Sequence, residues 1–290
     1  MTEMQQQRNA PGKLILAATP IGNLEDITFR VVRAMKEADL IAAEDTRNSI
    51  RLLNHFDIHT PLTSYHEYNK IDKAYELIGQ IRQGKTVVLV TDAGTPGISD
   101  PGEDLVRIAY EEGVEVTSLP GACACITALT LSGLPTRRFC FEAFLPHNKK
   151  ERQAVLEELK NETRTIILYE APHHLCGTLE ELLGSLGDRR ITLCRELTKI
   201  YEEACQTTLE EALRTYKSER SPRGEYVIVI EGRSREKVQE QKALEWEEMN
   251  LEEHMQLYLD RGMDRKAAMK CVAKDRGITK RDVYQRLLGQ

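Results

Sequence analysis

The stretch "TDAGTPGISDPG" (91–102) ends an aliphatic run and sets three glycines and two prolines around Asp92. Two further stretches have the same character, "ATPIGNLED" (18–26) and "LPGACA" (119–124). In each, glycine or proline sets a backbone path that other residues resist. Such loops are expected to expose backbone N–H and C=O groups to a ligand. A sharp turn explains any one of them; three at one end of a sheet point to a binding site. None has the G-x-G-x-x-G or G-x-x-x-x-G-K-[ST] spacing, so neither a nucleoside triphosphate nor a standard dinucleotide is expected. The first predicted strand also ends without a Lys or Arg to meet phosphate. Asp92 repels an anion and suits a ligand with amines, hydroxyls or a positive charge. S-adenosylmethionine has all three.

Loops of this kind need a sheet to hold them. "KLILAA" (13–18), "DLIAAE" (39–44), "TVVLVT" (86–91) and "VEVTSL" (114–119) read as strands. Between them, Ile27, Val31, Val32 and Met35 share one helical face, "KAYELIGQIRQG" (73–84) reads as a helix closed by Gly84, and "EDLVRIAYEEG" (103–113) and "GACACITALTLSG" (121–133) read as further helices. Strands alternating with helices predict a mainly parallel sheet with both faces covered. In open α/β sheets, ligands bind beyond the carboxyl ends of the strands. A second stretch from about Phe139 is expected to be built similarly, with strands at "RFCFEAFL", "RTIILYE", "RITLCREL" and "GEYVIVIEG". After Gly232 the chain turns polar, then reads as three helices of helix-turn-helix type. Trp246, the single tryptophan, is expected to pack near that boundary. The expected division is a frayed tail at 1–12, an α/β domain at 13–137, a second at 138–232, and a linker with a small all-α domain at 233–290.

The 290 residues are 41% hydrophobic and 30% charged, and no apolar run is long enough to span a membrane. The N-terminal stretch lacks an apolar segment of signal-peptide type. Seven scattered cysteines, an odd number, predict free buried thiols in a reducing cytoplasm. Cys123 and Cys125 form a C-x-C without a second pair at zinc-like spacing, so no metal site is expected. A net charge of −6 argues against a protein that coats nucleic acid non-specifically.

"TPIGNLEDIT", "AAEDTRNSIRLLNHF", "SYHEYN", "TDAGTPGISDPG", "LPGACACITAL", "GLP", "FEAFLP", "YEAPHH", "CRELTKIYE" and "RGEYVIVIEG" follow one another in this order. Together they resemble the ribosomal small subunit methyltransferase I family, within the tetrapyrrole methylase superfamily. The resemblance covers about 13–232, and the helical tail also resembles that family's C-terminal domain. It implies two α/β domains with S-adenosylmethionine in the cleft between them, a homodimer, and 2′-O-methylation of a cytidine ribose in the decoding region of 16S ribosomal RNA on the assembled small subunit. The chain departs from the family at His174, where many relatives carry Arg, and at "SPRGE", where a second basic residue often precedes the Arg. Both departures weaken the case for phosphate contacts there.

Carried onto this chain, the resemblance puts Pro20 at the floor of the cofactor site. Asp92, Ala93, Gly94, Thr95, Ile98 and Ser99 are then expected at the methionine part or ribose. Cys123 and Ala124 are expected to line the cofactor closely, and Tyr169, Glu170, Leu197 and Val227 to border the adenine. In-line methyl transfer from a sulfonium depends mainly on alignment, and a ribose hydroxyl also needs help to lose its proton. Candidates are Glu44, Asp45 and Arg47 in "EDTR", His66 and Glu67 in "YHEYN", and Arg195, Glu196 and Lys199 in "RELTK". Asp45 or Thr46 could instead simply cap the following helix, and His66 could be a structural histidine. Thr46 and Asn69, with Arg137, Arg138, Lys149, Lys150 and Arg152, are expected to face RNA. The tail adds Arg261, Arg265, Lys266, Lys270, Lys274, Arg276, Lys280 and Arg281, a basic stretch in an acidic protein, which favours an RNA or ribosome contact. The competing readings are a small-molecule methylase acting on a corrin or porphyrin precursor, and a DNA-binding regulator that uses the helical tail.

Overall fold

The computed structural model describes residues 12–234, 236, 246 and 249–288. The expected frayed tail (apart from Gly12) and most of the expected linker lie outside these residues. One compact unit runs to Leu156 and resumes over Thr165–Glu231; the other joins Glu157–Arg164 to the chain from Gly232 onward.

The first sheet holds β1 (Lys13–Ala17), β2 (Leu40–Ala43), β3 (Leu62–Ser64), β4 (Val87–Val90) and β5 (Glu115–Leu119). Their order is β3-β2-β4-β1-β5 and every pairing is parallel. The helices are α1 (Phe29–Glu37), α2 (Thr46–His55), α3 (Lys70–Arg82), α4 (Gly102–Glu111) and α5 (Ala124–Leu131). Successive strand residues point to opposite faces, and here both faces are buried. Leu14 and Leu16 pack with Leu77, Ile81, Leu105 and Ile108. Ile15 and Ala17 pack on the other side with Val31, Met35 and Leu53. Burial on both faces is why the inner strands β1, β2 and β4 read as apolar runs, while the edge strands β3 and β5 are shorter or partly exposed.

Sheet order determines which loops meet. β4 lies between β2 and β1, so the loop after β4 emerges beside the loops after both. Thr19 donates its N–H to the Gly94 carbonyl at 2.8 Å, and Gly94 donates back at 3.1 Å. The Asp45 N–H donates to Asp92 Oδ1 at 3.0 Å. β5 flanks β1, and Thr95 Oγ1 donates to the Ala122 carbonyl at 2.9 Å.

The second sheet holds β6 (Phe139–Ala143), β7 (Thr165–Glu170), β8 (Arg190–Arg195), β9 (Glu203–Thr208) and β10 (Tyr226–Ile230), in the order β6-β7-β10-β8-β9. It departs from the expectation of a second sheet built like the first. Only β6 and β7 pair in parallel, joined through α6 (Lys149–Leu159); the other pairings are antiparallel. For β8 and β9, connection length supplies the reason. Residues 196–202 are too few for a parallel crossover, so β9 must return antiparallel to β8. β9 escaped the sequence reading because it is a polar, half-exposed edge strand. α7 (Leu175–Leu186) and α8 (Leu209–Ser218) complete this half. Cys125, Ala128 and Leu129 of α5 pack on Ile167, Cys194, Val227 and Val229 of the second sheet, so one apolar cluster ties the two sheets together.

The tail forms α9 (Leu251–Asp260), α10 (Arg265–Asp275) and α11 (Lys280–Leu288) around Met255, Ala268, Val272, Ala273 and Val283. Trp246 stacks on the fully buried His254, with ring centres 3.9 Å apart, and Arg276 Nε donates to His254 Nδ1 at 3.1 Å. No helix among the described residues is long and apolar enough to cross a membrane.

Candidate functional site

A cavity of about 440 Å³ opens at the carboxyl edge of the first sheet, against the ends of β7, β8 and β10. That volume suits a small-molecule ligand. The first sheet contributes Ile21, Glu44, Thr91 to Thr95, Ile98, Ser99, Asp100, Cys123 and Ala124. The second contributes Phe144, Tyr169 to Pro172, Cys194, Leu197, Lys199 and Glu225 to Val227.

Every residue expected at the cofactor therefore lines this cavity except Pro20, whose neighbour Ile21 does. Among the catalytic candidates, Glu44 and Lys199 line it, whereas Asp45, Arg47, His66 and Glu196 do not. Sequence reasoning missed Ile21, Thr91, Asp100, Phe144, Ala171, Pro172, Cys194, Glu225 and Tyr226. Asp100 carried a signal in "SDPG", because an aspartate before Pro-Gly closes turns on its own side chain. Cys194 and Glu225 reach the cavity only through strand pairing, which leaves no local signature.

The loop after β4 is tied to its neighbours at particular points. Several of its backbone groups bond within the protein. Gly94 is bonded through both N–H and C=O to Thr19. The Asp100 carboxylate accepts from the N–H of Gly97 at 2.9 Å and of Gly102 at 2.8 Å. Gly94 has φ +88°, and a Cβ there would meet the Ile21 side chain at 3.3 Å. Glycine thus serves conformation and close packing. The loop lines the cavity with backbone at Gly94 and with the Asp92 and Asp100 side chains, beside Glu44 from the segment after β2.

Those carboxylates give the wall its electrostatics. Thr91 Oγ1 donates to Glu44 Oε2 at 2.9 Å. Burial first, and then the charges of Asp92 and Asp100, hold the Glu44 carboxyl above its ordinary range. Asp92 is fixed by Asp45 N–H and by Asn48 Nδ2 at 3.1 Å.

"EDTR" divides its work. Asp45 is the N-cap of α2 and accepts from Arg47 N–H at 2.8 Å. It also binds the Arg47 guanidinium through Nε at 3.0 Å and through Nη2 at 2.7 Å. The Arg47 side chain lowers the Asp45 pKa to about 2. Arg47 itself is 87% exposed.

In "YHEYN", Asn69 precedes α3 and its Oδ1 accepts from His66 N–H at 2.8 Å, a local turn closure. His66 Nδ1 is buried and has no hydrogen-bond partner.

In the second half, Glu196 and Thr198 both adopt left-handed φ, +50° and +66°, on either side of Leu197. Non-glycine residues resist that conformation, and here it turns Leu197 into the cavity. Lys199 Nζ lies 2.8 Å from Glu196 and 2.9 Å from Glu225. Burial alone would lower its pKa, but the two carboxylates outweigh burial and raise it. Lys199 is therefore a fixed cation and no proton acceptor. It passes so close to Gly22 that a Cβ there would sit 2.4 Å from Lys199 Cγ.

Cys123 and Cys125 bring their sulfurs to 3.4 Å at the start of α5. The Cys125 thiol lowers the Cys123 pKa to about 6, while Cys125 is pushed up. All seven cysteines are free, although only Cys125 and Cys194 are fully buried and Cys205 is exposed. No cluster of His, Cys, Asp and Glu suited to a metal occurs among the described residues.

Arg137, Arg138, Lys149, Lys150, Arg265, Lys266 and Arg281 are exposed. Thr46 is half-buried within α2, and Lys280 is half-buried at the start of α11. Arg152 is not a free surface cation: it binds Glu181, and its Nη2 donates to Thr178 at 2.7 Å.

Two α/β halves with a ligand cavity at the carboxyl edge of a parallel sheet define a class. Residues 13–213 match the tetrapyrrole (corrin/porphyrin) methylases. Among solved structures, a diphthine synthase shares the fold at TM-score 0.62 and 17% identity, over 77% of this chain and 91% of that one. A uroporphyrin-III C-methyltransferase from Thermus thermophilus, complexed with S-adenyl homocysteine, aligns at TM-score 0.52 and 19% identity, over 76% and 97%. Among sequences, ribosomal RNA small subunit methyltransferase I of Halalkalibacterium halodurans is 51% identical over 96% of each chain. The protein of that name from Bacillus subtilis is 45% identical over 94% of this chain and 93% of its own. The chain belongs to the ribosomal RNA small subunit methyltransferase I family of tetrapyrrole methylases.

Proposed function

We propose that this protein is an S-adenosylmethionine-dependent methyltransferase of the cytidine 2′-hydroxyl in the decoding region of 16S ribosomal RNA, acting in the cytoplasm, as a homodimer, on the assembled small subunit. The observation that carries the reading is the cavity, with an acidic wall of Glu44, Asp92 and Asp100 facing an apolar wall that includes Leu197 and Val227. That pairing fits a ligand with a cationic amino-acid end and a flat aromatic end. The names of the relatives supply the RNA substrate.

When bound, S-adenosylmethionine supplies a methyl group on a sulfonium, already a good leaving group. The chain then has to hold the ribose in line and take its proton. Glu44 is suited to the second task, because a carboxyl with a raised pKa is a stronger base than an exposed one. Asp92, held by Asp45 and Asn48, fixes the cationic end, while Leu197, Val227 and Tyr169 border the adenine. Arg47 reaches outward from the N-terminus of α2 toward RNA phosphate. Further RNA contacts come from Lys149, Lys150 and the basic helical tail. The homodimer is supported by large apolar side chains left in solvent, notably Phe29 at 96% and Tyr68 at 97% exposure, with Ile200 and Tyr201.

The test is transfer of labelled methyl to small subunits from a strain lacking the gene, with ribose methylation mapped afterward. Labelling of a cytidine ribose in the decoding region is expected. Labelling of uroporphyrinogen with none on subunits would sink the RNA reading, and absence of S-adenosylmethionine binding by calorimetry would sink any methyl-transfer reading.

A further inference from the structure

A second cavity of about 600 Å³ adjoins the first and shares Phe144, Glu170 and Ala171 with it. Its remaining walls include His147, His173, His174, Arg152 and Glu181. We propose that this cavity receives the base of the nucleotide being methylated, and that its Arg152–Glu181 pair reads a cytosine edge. The proposal rests on the methyl-transfer reading above and specifies the substrate pocket of that site.

Three observations support it. The first is placement. The N-glycosidic bond keeps ribose next to base, so a base in the second cavity leaves its ribose at the shared rim, facing the first.

The second is the shape and chemistry of the walls. Phe144 is 52% exposed although it is a large aromatic inside a cleft. The backbone is bent to place it: the β6–β7 register shifts between Phe141 and Ala143, and Ala143 adopts φ +51°. A bulge followed by a left-handed non-glycine residue is strained geometry, and such strain clusters at binding sites. The imidazoles add flat faces, with His173 and His174 centred 4.0 Å apart and His147 5.9 Å from His174. Aromatic faces of this kind stack nucleobases.

The third is charge. A phosphate would meet an arginine already neutralised by Glu181, and a buried Glu170 beside it. The cavity is therefore poor for an anion and good for a neutral polar edge. The Glu181 carboxylate accepts and the Arg152 guanidinium donates. Cytosine offers an N4–H₂ donor beside ring and carbonyl acceptors. Uracil turns an O4 acceptor toward the carboxylate instead, an arrangement that sites built for a donor reject. Thr178 braces Arg152 from behind: it accepts from the guanidinium and donates to the buried Glu170.

The experiment compares small subunits carrying either C or U at the mapped methylation position, with the full-length protein at saturating S-adenosylmethionine. The wild type is expected to prefer C by about ten-fold or more. Glu181→Gln, whose amide can donate to O4, is expected to bring that ratio to about three-fold or less while S-adenosylmethionine affinity by calorimetry stays unchanged. A C-to-U ratio in Glu181→Gln equal to that of the wild type overturns the proposal, and a mere loss of stability leaves the ratio untouched. Phe144→Ala is a second test: it should slow transfer to C about ten-fold, with Phe144→Tyr restoring it. Phe144→Ala at the wild-type rate overturns the stacking role. A wild type that methylates neither subunit fails at the level of function instead, and is distinguished by its silence on both.

Discussion

The two walls of the first cavity are held in place by different means. The wall from the first sheet is made mainly of loops that satisfy one another: Thr19 with Gly94, Thr95 with Ala122, Asp92 with Asp45, and Asp100 with Gly97 and Gly102, with left-handed non-glycine backbone at Ser99 alone among its lining residues. The wall from the second sheet depends on strained backbone at Ala143, Glu196 and Thr198, with Lys199 clamped by two carboxylates. The first wall gains its rigidity from short-range bonding between parallel neighbours. In the second, the chain bends after β6 and after β8, which aims Phe144 and Leu197. Strain of that kind persists only where surrounding structure holds it.

The largest expected effect tests the chemistry assigned to the first wall. Glu44→Gln keeps an acceptor for Thr91 but removes the base, and the methyl-transfer rate should fall between about a hundred- and ten-thousand-fold. The same substitution should leave the free protein more stable at pH 7. The folded-state pKa of Glu44 is raised, so its stability contribution is present below the ordinary carboxylate pKa and lost as pH rises through the folded value. The gain from Gln should therefore vanish in acid. Thermal melts at pH 7 and pH 4 check this, and a wild-type rate in Glu44→Gln would remove Glu44 from the mechanism.

Gly94→Val comes next. A β-branched residue at φ +88°, pressed against Ile21, should weaken S-adenosylmethionine binding about ten- to a hundred-fold by calorimetry. Unchanged affinity would mean that the loop does not shape the site.

On the second wall, Thr198→Gly should act in the opposite sense on stability. It relieves a left-handed threonine whose Oγ1 is buried without a partner, a gain of about 1 kcal/mol before glycine's own entropy cost. The melting temperature should rise slightly while cofactor affinity falls a few-fold, because Leu197 is no longer aimed. If stability falls instead, the strain assigned to this wall is not there.

The smallest structural effect belongs to Arg47→Ala. Asp45, held at about pKa 2 by Arg47, should titrate closer to the ordinary aspartate range by NMR, while its cap on α2 survives. Transfer to subunits should be lost with cofactor affinity intact. Equal loss of both would move "EDTR" from the RNA side to the cofactor side.

Much of the first wall was legible in the chain. Aliphatic runs broken by Gly/Pro loops announce parallel strands buried on both faces, and Asp92 places a carboxylate in the cavity wall those loops form. The second half was less so. A six-residue apolar run such as "TIILYE" carries no mark of strand direction, and β9, "EACQTT", has no apolar alternation to betray a strand. Pro20 stood at the right place in a motif, yet it is Ile21 that lines the cavity. Arg152 sat in a basic run that suggested phosphate, and pairing with Glu181 changes what it can recognise.

By itself, then, the sequence determined the class of fold, the loops that gather at one edge, and the Asp92 carboxylate among them. These follow from patterns within a few residues of one another, where backbone preference and side-chain charge act locally. Only the tertiary structure decided the strand directions of the second sheet, the half-burial that raises Glu44, the clamp on Lys199, and the second cavity behind Phe144. Those depend on residues far apart in the chain being brought within a few ångströms, where burial and neighbouring charges set what each group can do.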